Sequence, residues 1–139
     1  MRGGSGSGGG AVLPGEKVWR MLQDDWYPKN SSGQRTAIME AAFIGQVSLL
    51  RASMVDENIV DSFPNGRFMN HGIVEMNADD IVKQTGCIFE FDSADGYWPT
   101  DAHVVLRRGS GGKNLRATHP EVLKLTAIAN SSRIVRLPS

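Results

Sequence analysis

The segment Trp98-Pro99-Thr100-Asp101-Ala102-His103-Val104-Val105-Leu106-Arg107-Arg108 places a histidine and two arginines on an apolar strand. The loop Gly109-Ser110-Gly111-Gly112-Lys113-Asn114-Leu115-Arg116 adds two more cations, and a helix is expected to start at Thr118. Free backbone N–H groups at a helix start, beside Arg107, Arg108, Lys113 and Arg116, suit a phosphate, a carboxylate or the acidic surface of a partner. The spacing is not that of a P-loop, because no Gly-x-x-x-x-Gly-Lys-Ser/Thr occurs. Sequence-tolerant nucleic-acid binding would interleave aromatic rings with these cations. The loop has none and the formal net charge is zero, which argues against a nucleic-acid partner.

A second set of polar groups sits on two other predicted strands. Arg20 follows Val18-Trp19, and Arg51 and Ser53 close the run Ser48-Leu49-Leu50-Arg51-Ala52-Ser53. Arginine's planar fork matches an oxyanion, so Arg20, Arg51 and Ser53 with His103 could surround an anionic, nucleotide-like substrate if the fold brings them together. The three histidines show no metal-ligand spacing: His71 reads as a loop residue, His119 as a first-turn helix residue and His103 as a strand residue. The single cysteine, Cys87, rules out an intrachain disulfide and a Cys-based zinc site. It alternates with Ile88 and Glu90 and reads as a small buried strand residue, with no neighbouring cation to make it a thiolate. No cofactor or metal motif is present.

The elements that must position these groups follow from periodicity. Glu16–Gln23 reads as a first strand, and Asp24–Gly33 as a loop pinned by Trp26 and Tyr27. Thr36–Ile44 is ambiguous between strand and helix. Val47–Ala52 is a strand, after which Ser53 is expected to cap a short helix carrying Asp56 and Glu57, ended by Phe63-Pro64-Asn65-Gly66. Gly72–Met76 is a strand, Asn77 an N-cap, Ala78–Thr85 a helix, Gly86 its C-terminal glycine and Cys87–Phe91 the next strand. That helix is short for a parallel crossover, so an antiparallel or split arrangement is equally open. Asp92–Thr100 is a loop containing Tyr97 and Trp98. In Ala102–Arg108, Ala102, Val104 and Leu106 form the buried side, and His103, Val105 and Arg107 the other. Thr118-His119-Pro120-Glu121 has the form of a capping box, with Val122, Leu125, Ile128 and Ala129 as the buried stripe. Arg133–Leu137 is a last strand. The order predicts one α+β domain over 13–139, with a mixed or mostly antiparallel sheet and about three short helices. Residues 1–12 read as a Gly/Ser linker or tag with no side chains to pack and no signal-peptide core, leaving roughly 125 residues to build a core.

Residues 1–100 carry eight Lys/Arg against thirteen Asp/Glu, and residues 101–139 carry seven against two. A dipolar surface would favour self-association or a charged partner, unless the two parts interleave in space. No apolar run is long enough to span a bilayer, so no membrane role and a reducing, cytoplasmic setting are expected.

Taken together, Val18-Trp19-Arg20, Asp25-Trp26, Ser48-Leu49-Leu50-Arg51-Ala52-Ser53, Ala102-His103-Val104-Val105 and the Leu125-Thr126-Ala127-Ile128-Ala129 helix resemble a family of small bacterial proteins. Its pattern is Trp-Arg, then Leu-Ser-x-x-Arg-Ala-Ser, then an Ala-His-Ala-x-Val strand, and it extends over most of residues 17–136. The chain departs from it at Gly33-Gln34-Arg35-Thr36-Ala37, where a double serine is missing, and at Val104, where the pattern has Ala. The resemblance implies no mechanism. A weaker likeness, to NAD-consuming transferases of the ADP-ribosyl type, would cast Arg20 and Ser48 or Ser53 in two roles, but no late strand glutamate completes it. Two readings stand at this level. The first is a non-enzymatic bacterial accessory protein acting through a protein partner or self-assembly. The second is a small enzyme or binding domain for an anionic ligand, built on Arg20, Arg51 and His103.

Overall fold

Alternating apolar side chains build six strands: β1 (Lys17–Leu22), β2 (Val47–Arg51), β3 (Gly72–Asn77), β4 (Ile88–Phe91), β5 (His103–Arg107) and β6 (Arg133–Arg136). The helices are α1 (Glu57–Asp61), α2 (Ala78–Thr85) and α3 (Pro120–Asn130). The computed structural model describes residues 12, 15–91, 102–109 and 113–139; the expected loop over Asp92–Thr100 and most of the Gly/Ser stretch lie outside the described residues. The strands form one sheet in the order β4-β5-β2-β1-β3-β6, and every neighbouring pair is antiparallel. This is the α+β class that the alternation of short strands and helices predicts.

The β3–α2–β4 unit is a split crossover. Asn77 caps α2 by accepting the Asp79 N–H at 3.0 Å, and Gly86 ends the helix in the left-handed region at φ 71°. The chain then passes β1, β2 and β5 to lay β4 at the far edge of the sheet. The β5–α3–β6 connection crosses in the other sense, so α2 and α3 meet over one face. There Val18, Leu22, Val47, Leu49, Val74, Met76, Val104 and Leu106 pack under Ile81, Val122, Leu125, Ile128 and Ala129. The opposite face carries a smaller cluster: Trp19, Met21, Leu50 and Ile73 under Val60 and Phe63.

Several local expectations are corrected. Ser53 caps nothing: β2 stops at Arg51, Ala52–Met54 forms a 3-10 turn, and Asp56 caps α1 by accepting the Ile59 N–H at 2.9 Å. Thr118 is not a helix cap either. Pro120 occupies the first helical position, and its ring forces the preceding residue into extended backbone, so His119 (φ −79°, ψ 128°) becomes the boundary. Glu121 then turns to Arg108 instead of closing a capping box. The ambiguous Thr36–Ile44 stretch is neither strand nor α-helix and ends in a 3-10 turn over Glu40–Phe43 that buries Ala42 and Phe43. Cys87 is buried as expected but sits just ahead of β4. β5 is buried on both sides, including His103 and Val105.

Gly72 shows where backbone approach is tightest. A Cβ there would lie 2.6 Å from Pro138 Cδ and 2.9 Å from its backbone nitrogen. Gly72→Ala should therefore lower stability by about 1–3 kcal/mol through overpacking, read as a reduced urea midpoint. An unchanged midpoint would mean that the Pro138 segment moves aside freely.

Candidate functional site

The β1–β2 ladder registers Val18 with Arg51 and Trp19 with Leu50 and goes no further. Beyond that point the strands part, and the Arg20 guanidinium fills the opening. Its Nε donates to the Ala42 carbonyl at 2.9 Å and its NH1 to the Ser48 carbonyl at 3.1 Å. The indole of Trp26 lies against it, 4.8 Å from ring centroid to guanidinium carbon. Arg20 is only 6% exposed, and both hydrogen-bond acceptors are neutral. Among the described residues no carboxylate pairs with it. Burial pushes its pKa down to about 10.

A cavity of about 440 Å³ opens beside this group. Its strand-derived wall is Arg20, Met21, Ser48 and His103, with Gln23 and Gln46 at the strand ends. The facing wall comes from the segment after α1, through Phe63, Arg67, Phe68 and His71. No Asp or Glu lines it among the described residues. His71 is held below its ordinary 6.5, first by burial and then by the charges of Arg136, Arg20 and Arg67. Among the described residues the site thus combines two arginines and two imidazoles with no carboxylate, in a recess of the size usual for small-molecule pockets.

Arg136 of β6 positions the facing wall. Its Nε donates to the His71 carbonyl at 2.8 Å and its NH2 to the Phe68 carbonyl at 2.9 Å, while NH1 pairs with Asp61 at 2.8 Å. One guanidinium therefore clamps α1 and the 68–71 backbone to the sheet edge. Arg136→Ala should leave those carbonyls without their donor and speed amide hydrogen exchange over residues 62–71 by about tenfold or more, equivalent to losing one charge-assisted hydrogen bond. Unchanged exchange there would show that the aromatic packing alone holds the wall.

The structure brings Arg20 and His103 to one cavity but sends Arg51 elsewhere. Arg51 is buried and binds Glu16 through Nε–Oε1 at 2.7 Å and NH2–Oε2 at 3.0 Å, with the Phe91 ring 5.6 Å away. Strand alternation explains this: Arg51 shares the helix-covered face with Leu49, whereas Ser48 faces the cavity side with Leu50. Ser53 is exposed in its 3-10 turn, away from the cavity. The basic loop is largely satisfied from within the chain. Arg107 pairs with Glu90 at 3.2 Å and donates to Asn114 Oδ1. Arg108 pairs with Glu121 at 3.0 Å. The Arg116 N–H donates to His119 Nδ1 at 3.0 Å, and Lys113 and Arg116 are exposed at the rim of a separate depression. Arg67 and His71 complete the cavity, and neither stood out beforehand. The available signal was Phe63-Pro64-Asn65-Gly66-Arg67-Phe68, a turn that places a cation between two rings.

Among the described residues no three His, Cys, Asp or Glu side chains gather as a metal-ligand set. Among them, too, no helix is long and apolar enough to cross a membrane. No family model, curated protein or solved structure matches the chain.

Proposed function

We propose that the chain binds a small anionic ligand, a phosphate or carboxylate compound, in the cavity between β1, β2, β5 and the 63–71 segment. The observation that carries this reading is the buried charge of Arg20, which among the described residues meets only neutral acceptors, at the edge of a cavity that no described Asp or Glu lines. An arginine in that setting is destabilised by its surroundings unless a counter-charge arrives, and its fork suits an oxyanion. Arg67, exposed at the rim, supplies a second positive charge on the approach.

The accessory-protein reading drew on the separation of charge along the sequence. In space the late cations meet earlier acids: Arg107 with Glu90, Arg133 with Glu75, and Arg136 with Glu57 and Asp61. That interleaving supports a ligand pocket over a dipolar partner surface.

The test is titration of the protein with inorganic phosphate, followed by histidine NMR. His71 is neutral above pH 6.5 in both the folded and the unfolded chain. Its folded pKa is depressed, so stability is lost as pH falls below 6.5 and the unfolded chain takes up the proton first. An anion in the cavity counters the three arginines and should raise the His71 pKa while slowing that loss. A His71 titration indifferent to phosphate, with no heat of binding, would overturn the proposal.

A further inference from the structure

The two arginines that line the cavity stand on different walls. Arg20 is buried in the sheet wall, where its described acceptors are two backbone carbonyls. Arg67 is exposed on the facing wall, in the segment after α1. Its guanidinium lies 5.2 Å from the Phe68 centroid and 5.9 Å from that of Phe63. These rings hold the cation in place but do not neutralise it, because an aromatic face carries no net charge. Among the described residues no carboxylate pairs with either arginine. His71 lies in the field of both, since the charge of each lowers its pKa. The two cations therefore flank one recess, and between them the lining is neutral: Met21 and the amides of Gln23 and Gln46. At about 440 Å³ the recess is far larger than a bare oxyanion needs. One oxyanion at Arg20 would also leave the second charge unmatched, whereas a complementary ligand places negative charge against each.

Resting on the anion-binding reading above, we infer that the ligand is a small molecule with two anionic groups joined by a hydroxylated chain, one group held by Arg20 and the other by Arg67. The inner group lies toward Arg20 and the sheet, shielded from water. The outer group lies at the rim, where the planar fork of Arg67 matches a carboxylate. The amides of Gln23 and Gln46 can both donate to and accept from a hydroxyl on the joining chain.

Calorimetric titration of the full chain with two matched pairs of probes tests this, inorganic phosphate being titrated alongside. The short pair is glycerol 3-phosphate and 3-phosphoglycerate; the long pair is glucitol 6-phosphate and 6-phosphogluconate. Within each pair the skeleton is the same and a terminal alcohol is replaced by a carboxylate. In the pair whose length fits, the carboxylate should tighten binding at least about tenfold, the worth of one charge-assisted hydrogen bond. The measurement belongs at about 0.15 M ionic strength, where distant surface charges are screened. Arg67→Gln should remove that increment and leave the affinity for the alcohol unchanged. The comparison within each pair needs no variant, so it decides the inference even if the substitution unfolds the chain. Equal affinity within both pairs overturns the inference and leaves the anion site standing. A carboxylate preference that survives in folded Arg67→Gln overturns it as well, because the second anionic group would then be held elsewhere. Binding of no probe, phosphate included, overturns both readings.

Discussion

Arg20→Met should cost phosphate affinity about a hundredfold or more while the chain stays folded, because it removes the buried cation that the cavity is built around. Burial lowers the guanidinium from its ordinary value to about 10. For a base, this means that the charged form is less favourable in the folded chain than in the unfolded one. The penalty is about 3 kcal/mol at neutral pH, fully present below pH 10, and shrinks as pH rises above 10. The substitution relieves that penalty. It also removes two charge-assisted hydrogen bonds, to the Ala42 and Ser48 carbonyls, each worth about 1.5–3 kcal/mol. The opposed terms largely offset, so unfolding free energy should fall by no more than about 3 kcal/mol. Urea denaturation and calorimetry on the same preparation separate the two effects. A variant that loses much of its stability yet binds phosphate as before would show Arg20 to be a strut for the β1–β2 opening.

The second large effect should come from Glu16→Ala. Glu16 and Arg51 form a bidentate pair whose side chains are 12% and 5% exposed. Removing the carboxylate breaks a bidentate pair on a buried guanidinium and should cost about 3–5 kcal/mol. Phosphate affinity of the folded protein should be unchanged, since Arg51 does not reach the cavity. Thermal or urea unfolding reads the first outcome and calorimetry the second. A coupled loss of phosphate binding would place Arg51 back among the ligand contacts. The two variants together form a contrast: one buried arginine has a carboxylate partner within the chain, and among the described residues the other meets only backbone carbonyls.

That contrast shows what strand patterning made legible. Alternation alone put Val104 and Leu106 opposite His103, and Val18 and Leu22 beside Arg20. Caps and glycines marked α2 from Asn77 to Gly86. Arg51, by the same alternation, falls on the face away from Ser48, so its parting from His103 was within reach of a stricter reading of the period. The behaviour of Arg20 was not. It follows helix-facing neighbours, yet its guanidinium turns into a gap that exists only because β1 and β2 separate after Trp19 and Leu50. Nothing in either strand announces that separation. Arg67 and His71 were out of reach for a different reason. Their place depends on Arg136, which lies 65 residues beyond His71 in sequence and holds the segment by backbone carbonyls that carry no residue code.

The two crossovers set the course of folding. Only β1–β2 and β4–β5 are strands consecutive in sequence that also lie side by side; β3 must find β1 from across the chain, and β6 must then find β3. Such a sheet has few short-range contacts to grow from, so its folding belongs in the millisecond-to-second range, slower than that of a helical protein of this length. The Arg20 cradle, in contrast, draws only on residues 20–48 and closes a short loop. The His103 and Phe68 walls arrive from remote parts of the chain. On the anion-binding proposal, refolding in phosphate should therefore be faster than refolding in chloride at equal ionic strength.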